Sequence, residues 1–264
     1  MTTDWANRLI HETAIISDTA IVADGVEVGP YAIIGDHVQI DTGTVISPHV
    51  VVKGPTKLGK NNRIFQFASI GDQPQDLKYN DEPTELIIGD SNTIREYATI
   101  NRGTVGGGGV TRIGDNNLLM AYIHVAHDCH IGNNVVFSNG ASLAGHVTIG
   151  DYAILAGFSL VHQFCTVGEH AFLGLNSAVN KDVCPYMIAV GNYATARGIN
   201  KNGLRRRGFS EETIQSLHHA YMTLIRQRGD RAAALESLDP EAREVPEVQR
   251  IIEFIQSSER GIVR

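Results

Sequence analysis

The chain has 264 residues, of which 42% are apolar, 19% charged and 6% aromatic, and its formal net charge is -7. This composition excludes a disordered or collagen-like chain. The acidic balance argues against nucleic-acid binding, which needs a basic face to neutralise phosphates. The sequence contains no run of about 18 apolar residues, the length that a membrane-spanning helix needs. The N-terminus lacks the uninterrupted apolar segment of a secretory signal.

Aliphatic residues recur at every sixth position along most of the chain. The series runs over residues 16–70, resumes over 88–100, and then holds for twelve consecutive steps over 113–179. A small or β-branched residue usually stands two positions earlier, and residues two apart share one face of a strand. Gly, Asn and Asp are frequent at the other positions, and Gly and Asn tolerate the positive φ of tight bends.

One short strand per hexad, with a bend after each, predicts a three-sided prism. Three hexads make one coil, so residues 18 apart should stack at about 4.8 Å. Twenty-five hexads give about eight coils and a rod on the order of 40 Å long. Such a rod buries its core by stacking neighbouring coils. The periodicity alone does not fix its handedness.

Two breaks in the repeat, at residues 71–87 and 101–112, predict loops that leave the prism. The first is polar and the second contains four consecutive glycines, and they are either binding loops or tolerated insertions. We assign residues 1–189 to the prism and 190–264 to a helical domain, because the pattern becomes helical beyond Pro185. Ser210 is the predicted N-cap of the main helix and Gly229 its C-terminal end.

Histidines are concentrated on about two coils of the prism. The 18-residue period stacks Asp128 beside His146 and His127 beside Gly145. Imidazole titrates near neutrality and can take a proton from a hydroxyl, Asp128 could orient it, and the Gly145 N–H could hold an oxyanion. This set suits acyl transfer. The histidines concerned are His124, His127, His130, His146 and His162.

Other interpretations of the polar clusters stay open. The histidines could be solvated, or could bind zinc at a trimer interface, although a spacing of three alternates sides in a strand.

Cys129 and Cys165 share the small interior column about 9.6 Å apart, too far for a disulfide. Three cysteines without a Cys-x-x-Cys pair fit a reducing compartment. The run Arg205–Arg207 is either a solvated helix end or an anchor for a phosphate or an acidic partner.

Several segments match the motifs of one enzyme family. The segments are HVAHDCHIG, ASLAGHVTIG, VHQFC, QDLKY and GINKNGLRRRGFS. The chain resembles, over essentially its full length, the UDP-N-acetylglucosamine acyltransferases that begin lipid A synthesis in Gram-negative bacteria. The hexads alone would indicate only the wider hexapeptide acyltransferase superfamily.

This resemblance implies a cytoplasmic homotrimer of left-handed parallel β-helices, each with a C-terminal α-helical domain, and active sites between subunits. The donor would be an (R)-3-hydroxyacyl group on the phosphopantetheine of acyl carrier protein, and the acceptor the 3-hydroxyl of UDP-N-acetylglucosamine, with no metal and no separate cofactor. His127 would be the general base, Asp128 its carboxylate partner and Gly145 the oxyanion donor. The implied substrate contacts are Asp76, Lys78, His124, His146, His162, Gln163, Asn200, Arg206 and Arg207.

Four positions depart from the pattern of this family. Asn101 and Tyr193 replace histidines, and Asn202 replaces a glutamate, which puts individual substrate contacts in question. Leu175 stands where members that use long chains carry glycine at the end of the acyl groove. Since each methylene is worth about 1 to 3 kcal/mol in such discrimination, we expect a donor of roughly ten to twelve carbons rather than fourteen.

Four other functions compete with this assignment. Two are acyl transfers: an acetyl-CoA-dependent hexapeptide enzyme, and the N-acyltransferase that acts later in lipid A assembly. The others are a metal-dependent β-helix hydratase and a non-catalytic interaction or ice-binding β-helix. The ice-binding alternative requires regular threonine arrays, which the sequence lacks, and leaves the histidines unexplained.

Overall fold

A computed structural model describes residues 9–227 and 231–264. Each of the twenty-five hexads contributes one short strand, and its aliphatic residue lies in that strand. The strands are β1 Ile15–Ile16, β2 Ile21–Val22, β3 Glu27–Val28, β4 Ile33–Ile34, β5 Val38–Ile40, β6 Val45–Ile46, β7 Val51–Val52, β8 Thr56–Leu58, β9 Arg63–Ile64, β10 Ser69–Asp72, β11 Glu85–Ile88, β12 Thr93–Ile94, β13 Thr99–Asn101, β14 Val110–Ile113, β15 Leu118–Leu119, β16 His124–Val125, β17 His130–Ile131, β18 Val136–Phe137, β19 Ser142–Leu143, β20 Thr148–Ile149, β21 Ile154–Leu155, β22 Leu160–Val161, β23 Thr166–Val167, β24 Phe172–Leu173 and β25 Ala178–Val179.

Every third strand pairs in parallel, which produces the three walls of a prism. The first sheet runs from β1 through β4 to β25, the second from β2 to β23, and the third from β3 to β24. Within uninterrupted coils the register is 18 residues, as between Val125 and Leu143. The chain is a left-handed parallel β-helix followed by helices, which confirms the predicted fold class.

The aliphatic column fills the prism, and the bends turn other side chains outward. Leu119 and Phe137 are fully buried. Many bends place a non-glycine residue at positive φ, including Asp128 and His146, both at 60°. Because bends on successive coils superimpose, their side chains stack in columns. One column, which we call the aromatic ladder, has ring centroids 4.9 to 5.3 Å apart and comprises Tyr31, His49, Phe67, Tyr97 and Tyr122.

Both predicted loops leave the prism, with slightly different bounds from those predicted. Loop 1 covers residues 73–84, between β10 and β11, and loop 2 covers residues 102–109, between β13 and β14. The outer residues of each predicted break extend the flanking strands. Loop 2 contains a 3-10 turn at Val105–Gly107. The Arg102 side chain at the start of loop 2 donates to the Tyr79 hydroxyl and the Gly71 carbonyl, which ties the two loops together.

Strand structure continues beyond the predicted end of the prism. Strand β26, Met187–Gly191, pairs in parallel with β24, and β27, Ala194–Ile199, returns antiparallel to it. The prediction of a helical pattern directly after Pro185 was therefore wrong. The physical reason is that the open end of the third sheet accepts one more hairpin, in which Met187 and Ala189 are buried.

Helices begin only after this hairpin. Ser210 accepts the N–H of Thr213 as the predicted N-cap, whereas the predicted helix end at Gly229 lies outside the described residues. No helix among the described residues is long and apolar enough to cross a membrane. The helices are α1 Lys201–Arg206, α2 Glu211–Ala220 continued by a π-helical segment Tyr221–Arg226, α3 Arg231–Ser237, α4 Pro240–Arg243 and α5 Pro246–Ser257.

Candidate active site

An imidazole–carboxylate pair lies at the bend after β16. His127 Nδ1 is 2.7 Å from Asp128 Oδ2. The Asp128 side chain is 1% exposed and the His127 side chain 14% exposed, so the carboxylate is sealed while the imidazole remains reachable. A carboxylate only accepts hydrogen bonds, so the pair places the imidazole proton on Nδ1 and leaves a lone pair on Nε2.

Gly145 lies against the His127 ring on the next coil. A Cβ at residue 145 would lie 2.5 Å from His127 Cε1 and 2.8 Å from Nε2. Only glycine fits under the imidazole. Within the described ranges 9–227 and 231–264, the Gly145 N–H has no carbonyl or side-chain acceptor. The prediction that His127 and Gly145 lie side by side is confirmed.

Two further histidines flank this pair. His146 stacks on Phe164, with ring centroids 4.4 Å apart, and meets His127 edge-on at 5.1 Å. Its Nδ1 is 3.7 Å from Asp128 Oδ2, too long for a hydrogen bond. Burial lowers the pKa of His146, against the opposing effect of Asp128. Burial also lowers the pKa of His124, with a smaller contribution from His127.

Three of the clustered side chains could supply metal ligands. One atom from each of His127, Asp128 and His146 lies within 4.8 Å of the others. Asp128 Oδ2 already accepts from His127, so a metal ion there would have to displace the hydrogen bond that orients the imidazole.

The remaining histidines divide between two walls. His162 lies at the bend above this site, exposed, with Nδ1 3.4 Å from the Arg260 guanidinium, and Gln163 beside it is also exposed. His130, by contrast, belongs to the second sheet, where it pairs with Arg112 and Thr148. It therefore lies one strand further along the chain than His124, past a corner of the prism and on a different wall.

Loop 1 carries the two predicted contacts Asp76 and Lys78. The Asp76 carboxylate accepts the Lys78 N–H at 3.0 Å, and the charge of Asp76 makes the smallest of the contributions to the pKa of His146, in the raising direction. The Lys78 side chain is exposed, and Leu77 between them is fully exposed. The functions of Asp76 and Lys78 both stay predictions.

Three of the implied substrate contacts lie in or beside helix α1. Asn200 is the N-cap of α1: its side chain accepts the Gly203 N–H at 3.1 Å and donates to the His170 carbonyl at 3.0 Å. The Arg207 guanidinium lies 4.3 Å from the Tyr152 ring centroid, and burial lowers its pKa. Arg206 is exposed. None of these residues contacts His127 within the described part of the chain.

The four departures from the family pattern occupy different environments. Leu175 is 68% exposed, and its Cδ1 is 3.3 Å from the position of a Cβ on Gly157, so it leans across the glycine of the coil below. Tyr193 is 67% exposed in the β26–β27 turn, and Asn202 is exposed on α1. Asn101 is buried and donates to the Gln73 carbonyl at 2.8 Å, which fastens loop 1.

One contact of the pair was missed by the sequence analysis. Thr104, in loop 2, donates to both carboxylate oxygens of Asp128. The two residues are 24 apart in sequence, and the inserted loop breaks the 18-residue register, so the period gave no indication of this contact.

Comparisons with known proteins match nearly the whole chain. The family model described as Udp N-acetylglucosamine O-acyltransferase, domain 2, matches residues 182–263, and the bacterial transferase hexapeptide model matches residues 111–145. The acyl-(acyl-carrier-protein)–UDP-N-acetylglucosamine O-acyltransferase of Thiobacillus denitrificans is 51% identical, covering 97% of this chain and 99% of that protein. The enzyme of the same name from Pseudomonas syringae pv. tomato is 54% identical over the same shares of the two chains.

Solved structures agree with these relatives. The UDP-N-acetylglucosamine O-acyltransferase of Moraxella catarrhalis has a TM-score of 0.94 and 47% identity, covering 97% of this chain and 100% of that one. The UDP-N-acetylglucosamine acyltransferase of Francisella novicida has a TM-score of 0.93 and 43% identity, covering 97% and 94%. The identity and coverage of the relatives show that this chain belongs to the acyl-(acyl-carrier-protein)–UDP-N-acetylglucosamine O-acyltransferase family.

Proposed function

We propose that this protein transfers an (R)-3-hydroxyacyl group from acyl carrier protein to the 3-hydroxyl of UDP-N-acetylglucosamine, in the cytoplasm, as the first step of lipid A synthesis. The family membership supports the two substrates. The observation that carries the chemistry is the 2.7 Å contact between His127 Nδ1 and Asp128, which leaves Nε2 as the base. The phosphopantetheine thioester belongs to the donor, so the chain needs no separate cofactor.

The proposed reaction is a general-base acyl transfer. His127 Nε2 takes the proton of the sugar hydroxyl as its oxygen attacks the thioester carbonyl carbon, and the Gly145 N–H donates to the resulting oxyanion. Collapse of this intermediate breaks the carbon–sulfur bond, and the imidazolium returns its proton to the departing thiolate. General-base assistance contributes about 100- to 10,000-fold, and one oxyanion donor about 100- to 1,000-fold.

We propose further that the working assembly is a homotrimer. The fully exposed Leu77 on loop 1 and the exposed aromatic ladder are large apolar surfaces for an isolated chain, and such patches mark interaction sites. A closed ring of three copies covers them by one repeated contact. Light scattering should give three times the 28.7 kDa chain mass, about 86 kDa. A monomer mass would contradict the trimer.

The acyl-chain preference is proposed from Leu175. Its side chain projects over Gly157, where the resemblance puts the end of the acyl groove, so its bulk should exclude the last methylenes of a long donor. Leu175→Gly should shift the preferred donor from about ten to twelve carbons toward fourteen, measured by competition between carrier-protein thioesters. Unchanged preference would remove Leu175 as the determinant.

Mass spectrometry of the product tests the reaction as a whole. UDP-N-acetylglucosamine should gain one hydroxyacyl group from a hydroxyacyl carrier protein and none from acetyl-CoA. Acylation only from acetyl-CoA, or of an amine on the glucosamine acceptor of the later step, would favour the rival transferases. A metal-dependent activity lost on chelation would favour the hydratase.

A further inference from the structure

The carboxylate of Asp128 is held from two sides by loop 2. Asp128 Oδ1 accepts the Thr104 N–H at 2.7 Å, and Oδ2 accepts the Thr104 hydroxyl at 2.6 Å. In β14, just after the loop, the Thr111 hydroxyl accepts the Asp128 backbone N–H at 2.8 Å. Loop 2 therefore holds the carboxylate of Asp128, and the strand that follows the loop holds its backbone.

Loop 2 also closes over the carboxylate sterically. A Cβ on Gly107 would lie 2.0 Å from Asp128 Cγ and 2.3 Å from Oδ2, closer than any side chain can approach. The neighbouring Gly106 has nothing within 4 Å of its Cβ position, and its φ is not positive. The two glycines of one 3-10 turn thus differ: residue 107 must lack a side chain, and residue 106 need not.

These contacts leave the carboxylate one orientation. Oδ2 is shared between the Thr104 hydroxyl and the His127 ring, at 2.6 and 2.7 Å, so Thr104 determines where the acceptor for His127 lies. We propose that Thr104 and Gly107 are positioning residues of the acyl transfer: loop 2 clamps Asp128, and Asp128 in turn fixes the tautomer and direction of His127. This inference rests on the proposed function of His127 as the base.

A positioning role predicts a specific kinetic signature. A displaced aspartate leaves substrate binding intact but misaligns the base, and a misplacement of about 1 Å can cost about 100-fold in rate. Thr104→Val keeps the side-chain shape and the backbone donor but removes the hydroxyl, whereas Thr104→Ser keeps the hydroxyl. Thr104→Val should lower kcat by about 10- to 100-fold with both KM values unchanged, and Thr104→Ser should stay within about threefold of wild type.

Gly107→Ala and Gly106→Ala form the matched pair. Gly107→Ala should lower kcat about 10- to 100-fold, because its methyl displaces the carboxylate, while Gly106→Ala should leave kcat, KM and Tm as in wild type. If Thr104→Val fails to fold, the glycine pair decides the test. Equal kcat for the two alanine variants, or equal loss in Thr104→Val and Thr104→Ser, would overturn the inference. Wild-type protein that makes no acylated sugar would instead overturn the proposed function.

Discussion

Asp128→Asn isolates the role of the carboxylate with a change of one atom. The native oxygens accept three hydrogen bonds, two from Thr104 and one from His127. An amide has a single acceptor oxygen. Since the Thr104 backbone N–H can only donate, the amide oxygen must keep the Oδ1 position. The NH2 group then takes the Oδ2 position, opposite His127 Nδ1.

That arrangement reverses the hydrogen bond to the base. The NH2 group donates to His127 Nδ1 and so selects the tautomer protonated on Nε2, which cannot take the proton of the sugar hydroxyl. General-base assistance is worth about 100- to 10,000-fold, or about 2.7 to 5.4 kcal/mol at 1.36 kcal/mol per tenfold. The Thr104 hydroxyl can rotate to accept the second amide hydrogen, so the fold should survive.

Initial rates at saturating donor and acceptor measure this effect directly. We expect kcat to fall at least 100-fold in Asp128→Asn, with an unchanged melting temperature. Asp115→Asn is the control. Asp115 also accepts a backbone N–H, that of Asp90 at 2.7 Å, but it lies at the bend after β14 and not at the bend that carries His127. It should retain wild-type kcat. An Asp128→Asn enzyme with more than about a tenth of wild-type kcat would refute the tautomer argument.

Two further predictions concern buried titratable groups. Burial, and secondarily Arg207, lowers the pKa of His170 from 6.5 to about 4, so the unfolded chain takes up this proton first and stability is lost as pH falls from about 6.5 to about 4. His170→Phe keeps the ring stack and removes the titrating group. After allowance for partial solvent exposure, the free energy of unfolding that is lost on acidification should be smaller in this variant by about 1 to 2 kcal/mol. Urea unfolding at neutral and acidic pH measures this difference, and the same pH dependence in variant and wild type would contradict the prediction. Burial raises the thiol pKa of Cys129 to about 12 and of Cys165 to about 11, so a thiol reagent should label neither in the folded protein and both in guanidinium chloride. Rapid labelling of the native protein would be the contrary result.

The prism was predictable because its rule is local and repeated. Each coil needs an aliphatic residue inside and a residue that tolerates the bend, and the same demand returns every six positions. The six-residue period, followed in three runs, therefore located the twenty-five strands of the prism. The pairing of His127 with Gly145 followed from the same 18-residue stacking, since no insertion separates their coils.

The features that the sequence analysis missed depend on ends and insertions, where the rule stops. The hairpin at Met187–Ile199 completes an open sheet edge. Its alternation of apolar and polar residues is too short to be distinguished from the first turns of a helix. The hydrogen bonds from Thr104 to Asp128 come from loop 2, which interrupts the repeat, so the 18-residue spacing does not predict them.

The most direct test of the central claim is the turnover of His127→Ala beside His130→Ala. Each variant removes one imidazole, His127 from the bend after β16 and His130 from the next strand, β17. Of the two, only His127 is paired with Asp128 and packed on Gly145. We predict that His127→Ala lowers kcat by at least about 100-fold with oligomer mass and melting temperature unchanged, and that His130→Ala matches wild type. A His127→Ala enzyme that keeps most of its activity would contradict the account and assign the base elsewhere.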